Sequence, residues 1–392
     1  MRVLAACSLG GAGHLLPLLP LLAAAERRGD ETLVIGPPAL ADLVGRAGRP
    51  FRAGGEPSEE QVSPIREQLP VVAAEQASVL ANRELFARLA ATAMLPEMER
   101  TCRRWRPDLI VRDPCEYSSA VVAGLLGRRS AQVAVSLAEA EAGSINAAAP
   151  ALEEYRKGLV DELFAAPYLT RFPTSLDPSP FPRTVRFRTP RPTRGRPLPD
   201  WWDGSSEPLI YLSFGTVLGH LSSAEDIYRT ALRAVSTVEA RVLLTVGRHF
   251  DASALGQLPS RVHVEAWVDQ DDVFPEADLV VCHGGSGTAF GALESGLPLV
   301  VVPVFADQWQ NARRIAGAGA GVAIEADPAR SGGKRQIIAA DDAPRLAEAI
   351  VAVLGEVGYR RQAERIAAEM AATPTVDDVL ADLLEGVEQS SP

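Results

Sequence analysis

The fold of this chain is decided by the stretch Ala277-Asp-Leu-Val-Val-Cys-His283-Gly-Gly-Ser-Gly-Thr288-Ala-Phe-Gly-Ala-Leu-Glu-Ser-Gly-Leu-Pro298. A short apolar run ends in a glycine-rich turn, and a helix-forming segment follows the turn. This pattern is typical of a buried strand that leads into a helix. Backbone N–H groups at such a turn and the positive end of the helix both favour a phosphate group. The sequence therefore predicts an anion-binding turn.

The turn also carries polar side chains that suit a phosphate ligand. The candidates are His283, Gly284, Gly285, Ser286, Gly287 and Thr288. The glycines let the backbone approach the ligand closely, the hydroxyl groups add donors, and the imidazole can donate to a phosphate oxygen. A bare glycine turn would be interpreted more simply as a helix cap. The added histidine, serine and threonine favour anion binding instead.

Both halves of the chain alternate short apolar runs with longer helix-periodic stretches. The predicted strands are 3–7, 31–36, 108–113 and 131–136 in the first half, and 208–214, 241–246, 261–267, 278–282 and 297–303 in the second. The predicted helices are 14–28, 117–127, 223–236, 288–295, 307–318, 341–354 and 359–372. This alternation predicts an α/β protein with doubly wound parallel sheets and helices on both faces.

Composition narrows the function. With 392 residues the chain is long enough for two domains, each with its own core. A net charge of −11 argues against a general nucleic-acid binder, because such proteins need basic surface. The four cysteines, at 7, 102, 115 and 282, fit neither a zinc site nor a disulfide framework, which favours a reducing cytoplasm. Glycines and prolines break the apolar run that ends at Leu22, so it fits neither a signal peptide nor a membrane helix.

An arginine- and proline-rich segment, 183–199, lies between the halves. Its prolines could not continue a helix and its arginines could not pack a core, so a surface segment next to a linker is the first interpretation. A membrane- or phosphate-binding patch is the alternative, although the prolines spoil an amphipathic face. The domain boundary is expected near 195–206. A cleft between two joined domains is a common ligand site.

A second glycine-rich loop, Ser8-Leu-Gly-Gly-Ala-Gly-His14-Leu-Leu-Pro17, follows the first strand. Leu16 stands where the dinucleotide-binding pattern G-x-G-x-x-G needs its last glycine, which argues against NAD or FAD. His14 is the candidate general base, because an imidazole accepts a proton near neutral pH. Asp113 closes a predicted strand of the same sheet and could orient the other imidazole nitrogen.

Three further motifs accompany the anion-binding turn in the second half. They are Trp267-Val-Asp-Gln270, Ser213-Phe-Gly-Thr216, and Gly296-Leu-Pro298 with Pro303 and Asp307-Gln308. Together with the turn they resemble the donor motif of family 1 glycosyltransferases, which have the GT-B fold. By this resemblance the tryptophan stacks on the nucleotide base, the Ser213 turn lies near the phosphates, and Asp307 and Gln308 bind hydroxyls of the donor sugar. The positions of His14 and Asp113 match the His–Asp pair of that family.

The resemblance implies two Rossmann-like parallel-sheet domains that face each other across a cleft. The expected domains are 1–200 for the acceptor and 201–375 for the nucleotide-sugar donor, with a C-terminal helix over 376–392 packing back on the N-terminal domain. The residues expected to bind the donor are Ser213, Gly215, Thr216, Trp267, Val268, Gln270, His283, Gly285, Ser286, Gly287, Thr288, Asp307 and Gln308.

Two details refine the expected donor chemistry. Gly291 stands eight residues after His283, where family members that use ribonucleotides commonly have a glutamate on the ribose hydroxyls. A glycine there favours a thymidine diphosphate sugar over a uridine one. Asp269-Gln-Asp271 matches a manganese-binding pair of another glycosyltransferase fold, but its place at a helix start favours capping. We therefore expect no metal and no other cofactor.

These inferences predict an inverting glycosyltransferase that moves a deoxysugar from a dTDP-sugar to a hydroxyl of a natural-product aglycone, such as a polyketide, macrolide or enediyne. The irregular stretches 51–95 and 137–171 are expected to form the acceptor pocket. One alternative is a GT-B enzyme that uses a UDP-sugar and a lipid-linked or cell-wall acceptor. Another is a catalytically silent auxiliary protein that retains the fold. The expected location is cytoplasmic, without stable membrane association or a nucleic-acid partner, and a homodimer is left open.

Overall fold

The computed structural model describes residues 1–9, 11–69, 71–190, 196–216, 218–220, 223–304, 306–325 and 337–388. The chain divides into two compact units. The first unit comprises Met1–Pro190 and Thr373–Pro392, and the second comprises Arg191–Ala372.

The first unit is built on a parallel sheet whose seven strands lie in the order β3-β2-β1-β4-β5-β6-β7. Its strands are β1 Arg2–Ala6, β2 Glu31–Gly36, β3 Phe51–Ala53, β4 Leu109–Arg112, β5 Arg129–Val133, β6 Tyr168–Thr170 and β7 Thr184–Arg186. Its helices before the second unit are α1 Ala12–Leu15, α2 Leu19–Arg27, α3 Ala41–Arg46, α4 Glu59–Gln68, α5 Ala74–Val79, α6 Ala91–Trp105, α7 Ser118–Leu126, α8 Ala138–Tyr155 and α9 Leu159–Ala165. A π-helical stretch, Leu80–Ala90, joins α5 to α6.

The second unit has a parallel sheet of six strands in the order β10-β9-β8-β11-β12-β13. These strands are β8 Leu209–Ser213, β9 Arg241–Thr245, β10 Val262–Glu265, β11 Leu279–Cys282, β12 Leu299–Val301 and β13 Gly321–Ala323. The helices are α10 Ala224–Val235, α11 Gln270–Val273, α12 Ser286–Glu294, α13 Gln308–Gly317, α14 Ala343–Gly355 and α15 Val357–Ala371. The last helix of the chain, α16 Val376–Glu388, belongs to the first unit.

Strand β1 shows why the first sheet is buried on both faces. Val3 and Ala5 point into one apolar cluster, and Leu4 and Ala6 point into another. Successive side chains of a strand alternate between faces, so a strand that is apolar throughout needs helices on both sides. The two parallel sheets confirm the predicted α/β class.

Helix α16 contributes to the core of the first unit. Val376, Val379, Leu380 and Leu384 are buried in the same apolar cluster as β1 and α2. At the surface, the Arg27 guanidinium donates two hydrogen bonds to the Asp377 carboxylate, at 2.8 and 2.9 Å. The chain thus returns to its first unit after completing the second.

The sequence prediction missed four strands, each of three residues: β3, β6, β7 and β13. The surface interpretation of 183–199 is wrong for its first part, because β7 pairs with β6 and Phe187 is buried. The Arg186 guanidinium donates to the carbonyl groups of Phe172 and Asp177, so the arginine acts as a donor to the backbone. Residues 191–195 lie outside the described part of the chain. Within that part, no helix is both long and apolar enough to cross a membrane.

Candidate functional site

The first unit brings His14 and Asp113 together at the carboxyl edge of its sheet. Strands β1 and β4 are neighbours, with Ala6 opposite Arg112, so the residues that follow the two strands are adjacent. The loop after β1 leads into α1, which contains His14. The His14 Nδ1 atom lies 3.2 Å from Asp113 Oδ1. The histidine side chain is about one-fifth exposed (21%), whereas the aspartate is fully buried.

Asp113 is held in place by several donors. The Ser8 backbone N–H donates to Oδ2 at 2.6 Å, the Ser8 hydroxyl donates to the same atom at 2.9 Å, and the Cys115 N–H donates to Oδ1 at 2.8 Å. Burial alone would raise the pKa of Asp113, but the charge of His14 and the hydrogen bonds from His14, Ser8 and Cys115 lower it below its ordinary value. Asp113 is therefore a carboxylate at neutral pH, suited to orient an imidazole.

Arg112, which sequence reasoning did not single out, fixes the loop that carries Asp113. Its buried guanidinium donates to the carbonyl groups of Asp113 and Pro114, at 3.1 and 3.2 Å, and to Gln132 Oε1 at 2.6 Å. A charged residue inside an apolar strand was the available signal, because a buried guanidinium needs several acceptors.

A cavity of about 490 Å³ lies beside this pair in the first unit. Ser8, which donates to Asp113, forms part of its wall. The apolar part of its lining includes Leu9, Val62, Leu69, Leu85, Phe86 and Ala90, and the charged part consists of Glu56, Glu59 and Arg66. Three of these residues, Leu85, Phe86 and Ala90, belong to the π-helical stretch. Such helices are rare and occur frequently at functional sites.

The stretches predicted to form the acceptor pocket include the aromatic residues Phe86, Tyr155, Phe164 and Tyr168, and of these four only Phe86 lines the cavity. Tyr168 is fully buried and stacks on Phe181, with 4.2 Å between ring centroids. Phe164 also stacks on Phe181, with 5.3 Å between ring centroids. The Tyr155 hydroxyl donates to the Ala87 carbonyl at 2.8 Å. These three aromatic residues pack within the fold.

In the second unit, the predicted anion-binding turn follows β11 and leads into α12. His283 is partly buried, and its ring lies between two glycines. A Cβ atom on Gly285 would lie 2.4 Å from His283 Nε2, and one on Gly215 would lie 2.8 Å from the same atom. Gly215 also has a positive φ of 74°. Both positions therefore require glycine, and the turn after β8 meets the turn after β11 at the imidazole.

Burial lowers the pKa of His283 to about 4, against a smaller opposing effect of a hydrogen bond to the Ser213 backbone. The imidazole is therefore neutral at physiological pH. Around it, Ser286 is partly buried at the first turn of α12, Thr288 is buried, and Gly287 is exposed. Thr216, next to Gly215, is also exposed.

Asn311 is a residue of this site that sequence reasoning missed. It is fully buried on α13, and the two hydrogens of its Nδ2 are shared among three acceptors: the Gly284 carbonyl at 2.8 Å, Ser286 Oγ at 3.2 Å and Asp307 Oδ2 at 3.3 Å. Its spacing of four residues from Asp307 was the only signal. The contacts show that Asn311 ties the turn to the start of α13, where Asp307 is partly buried.

The remaining predicted donor residues have different environments. Gln308 is buried, and its Oε1 accepts from the Val304 N–H at 2.9 Å, so this side chain braces its own loop. Trp267 is 53% exposed, with the Arg248 guanidinium 5.6 Å from its ring centroid, and Val268 beside it is partly buried. Gln270 Nε2 donates to Thr288 Oγ1 at 3.0 Å.

Asp269 caps α11, because its Oδ1 accepts from the Asp271 N–H at 3.1 Å. The pair Asp269 and Asp271 therefore has a structural role at a helix start. Among the described residues, no group of three or more His, Cys, Asp or Glu side chains is placed to hold a metal ion.

Comparison with known proteins gives the family. Residues 229–385 match the C-terminal domain of erythromycin biosynthesis protein CIII-like proteins. The elloramycin glycosyltransferase ElmGT of Streptomyces olivaceus is 32% identical, over 98% of this chain and 97% of that protein. The chain belongs to the natural-product glycosyltransferases. The L-demethylnoviosyl transferase of Streptomyces niveus is similar to this glycosyltransferase too, at 29% identity over 96% of this chain and 95% of that protein.

Solved structures agree on the fold of the glycosyltransferase. The spinosyn rhamnosyltransferase SpnG superposes with a TM-score of 0.80 at 24% identity, covering 98% of this chain and 100% of that chain. SnogD from Streptomyces nogalater superposes with a TM-score of 0.76 at 24% identity, covering 99% of each chain. The prediction of a GT-B glycosyltransferase is confirmed.

Proposed function

We propose that this glycosyltransferase moves a deoxysugar from a thymidine diphosphate donor to a hydroxyl group of a natural-product aglycone, with inversion at the anomeric carbon. The observation that carries the proposal is the 3.2 Å contact between His14 Nδ1 and the buried carboxylate of Asp113. A buried carboxylate on one imidazole nitrogen is the arrangement by which enzymes orient a general base.

In the proposed reaction His14 accepts the proton of the acceptor hydroxyl. We assign this step to Nε2, because Nδ1 faces Asp113. The acceptor oxygen forms a bond to the anomeric carbon as the bond from that carbon to the diphosphate oxygen breaks. The proton stays on His14, and the carboxylate of Asp113 stabilises the resulting imidazolium. General-base catalysis of this kind contributes roughly 10²–10⁴-fold to the rate.

The leaving diphosphate is assigned to the second unit. Backbone N–H groups at the start of α12, the hydroxyl groups of Ser286 and Thr288, and the imidazole of His283 are the groups available to bind it. The helix N-terminus adds positive potential there. We propose that these groups balance the charge of the leaving group without a metal ion, and that Trp267 stacks on the base.

The choice of a thymidine nucleotide has two supports. Gly291 lies in the buried part of α12 and offers no carboxylate to a ribose 2′-hydroxyl. SpnG and SsfS6, two structures with the same fold, were solved in complex with thymidine diphosphate. For the acceptor we propose the 490 Å³ cavity of the first unit, whose lining is mostly apolar with a few charged side chains and suits a rigid aglycone that carries polar groups. SpnG has also been solved with the spinosyn aglycone.

We place the reaction in the cytoplasm, because all four cysteines are free thiols.

Calorimetric titration of the protein with dTDP and with UDP, first in EDTA and then with manganese, tests the donor proposal. We expect dTDP to bind without metal and more tightly than UDP. Equal or tighter UDP binding would contradict the thymidine assignment and favour a UDP-sugar donor, whereas binding only with manganese would contradict the metal-free site. Binding of neither nucleotide would favour a catalytically silent protein.

A further inference from the structure

Five polar side chains form a continuous chain of hydrogen bonds next to the predicted anion-binding turn of the second unit. From one end, Thr288 Oγ1 accepts from Gln270 Nε2 at 3.0 Å, and the same amide nitrogen lies 3.3 Å from the Tyr211 hydroxyl. The Tyr211 hydroxyl lies 3.2 Å from Thr245 Oγ1, which donates to Ser213 Oγ at 2.8 Å. The chain therefore joins α12 to the ends of β8 and β9 through five side chains.

Burial makes the chain costly to break. Tyr211 is 2% exposed, and Ser213, Thr245 and Thr288 are also buried. A buried hydroxyl that loses its partner keeps the full penalty of leaving water, so each member needs the next one. Neither Tyr211 nor Thr245 belongs to the donor motif by sequence, and both lie behind it.

The number of hydroxyl and amide hydrogens fixes the direction of donation along this chain of hydrogen bonds. Thr245 has one hydroxyl hydrogen, which it gives to Ser213, so Tyr211 must donate to Thr245. Tyr211 then accepts from Gln270, whose two amide hydrogens supply Tyr211 and Thr288. Both terminal hydroxyl groups, those of Ser213 and Thr288, thus act as acceptors within the chain and retain their own hydrogens for donation.

The two ends lie on the two turns that enclose His283. Ser213 ends β8 and precedes Gly215, and Thr288 lies in the first turn of α12. We infer that Tyr211 and Thr245 are positioning residues that turn the Ser213 and Thr288 hydroxyl groups into donors for the donor diphosphate. This inference rests on the proposed function, since it concerns the same anion. It assigns to two residues outside the motif the task of setting which hydroxyl groups of the site donate hydrogen bonds.

The test compares two buried tyrosines of the second unit. Tyr211→Phe removes the middle hydroxyl of the chain, whereas Tyr228→Phe removes a buried hydroxyl that donates to the Val246 carbonyl at 3.0 Å. Calorimetry with dTDP and with inorganic pyrophosphate, and NMR titration with thymidine, measure phosphate and base binding separately. We expect Tyr211→Phe to weaken dTDP and pyrophosphate binding about 5- to 20-fold and to leave thymidine affinity within about twofold. Tyr228→Phe should leave all three affinities within about twofold.

A second pair of variants tests the same chain at Thr245. Thr245→Val should weaken dTDP binding like Tyr211→Phe, and Thr245→Ser, which keeps the hydroxyl, should restore it. Equal dTDP affinity in Tyr211→Phe and Tyr228→Phe would overturn the inference while the proposed function stands. A wild-type protein that binds pyrophosphate but not dTDP would overturn the nucleotide proposal. The effect of the variants on the chain of hydrogen bonds would then be measured as pyrophosphate affinity. A wild-type protein that binds neither ligand overturns both.

Discussion

His14 and Asp113 perform separable tasks, although they touch. His14 is partly exposed and borders the solvent, whereas Asp113 is buried and also accepts from the backbone N–H groups of Ser8 and Cys115. Removing the imidazole therefore takes away a proton acceptor without opening the fold. Removing the carboxylate also leaves two backbone N–H groups without their acceptor.

We expect His14→Ala to lower kcat by about 10²–10⁴-fold and to leave the free energy of unfolding within about 1 kcal/mol. Asp113→Ala should lower kcat and also destabilise the protein by about 1–3 kcal/mol, because the Ser8 and Cys115 N–H groups lose their acceptor. Steady-state kinetics and urea unfolding measure the two effects. Retention of wild-type kcat by His14→Ala would refute the assignment of the base.

Among individual residues, the sequence predicted the polar residues that directly follow strands. It missed the buried residues that hydrogen-bond to them from neighbouring elements. His14 and Asp113 could be paired because neighbouring parallel strands gather their carboxyl ends. Asn311 could not be assigned, since its contacts with Gly284 and Ser286 exist only once α13 packs beside the turn. Tyr211 appeared as one more apolar residue of a buried strand.

Among the elements, the long strands and the helices after glycine turns were predictable from periodicity. The four strands that were missed have three residues each, which is too short for an apolar period to register. Strand β12 is equally short, but it was predicted because it lies within the longer apolar run 297–304. The π-helical stretch was equally unpredictable, because its residues would suit an ordinary α-helix. The wider turn of a π-helix shifts the side chains that follow it, so it changes which of them face the cavity.

The cavity assignment makes a prediction about this stretch. We expect Leu85→Trp, which fills the space at the cavity wall, to raise the KM for the aglycone at least about tenfold and to leave the KM for the nucleotide sugar unchanged. Arg88→Trp, on the same stretch but not among the residues lining the cavity, is the matched control. Steady-state kinetics with each substrate varied in turn separates the two constants. An unchanged aglycone KM in Leu85→Trp would place the acceptor site elsewhere.

For the whole molecule, the division into units does not follow the order of the sequence. The core of the first unit includes Leu380 on α16, whereas Leu346, only 34 residues earlier on α14, is buried in the core of the second unit. Both leucines are fully buried, and each packs with its own sheet. Two similar substitutions near the end of the chain should therefore act on different units.

We expect Leu380→Ala and Leu346→Ala each to destabilise the unit in which the leucine packs by about 2–5 kcal/mol, the usual cost of a cavity in a core. Hydrogen exchange measured strand by strand tells them apart, because protection reports local stability. Leu380→Ala should lower protection in β1 and β4, and Leu346→Ala in β8 and β11. Since the proposed diphosphate site is in the second unit, Leu380→Ala should also keep dTDP affinity. Loss of protection in β8 and β11 from Leu380→Ala would show that the two cores unfold together.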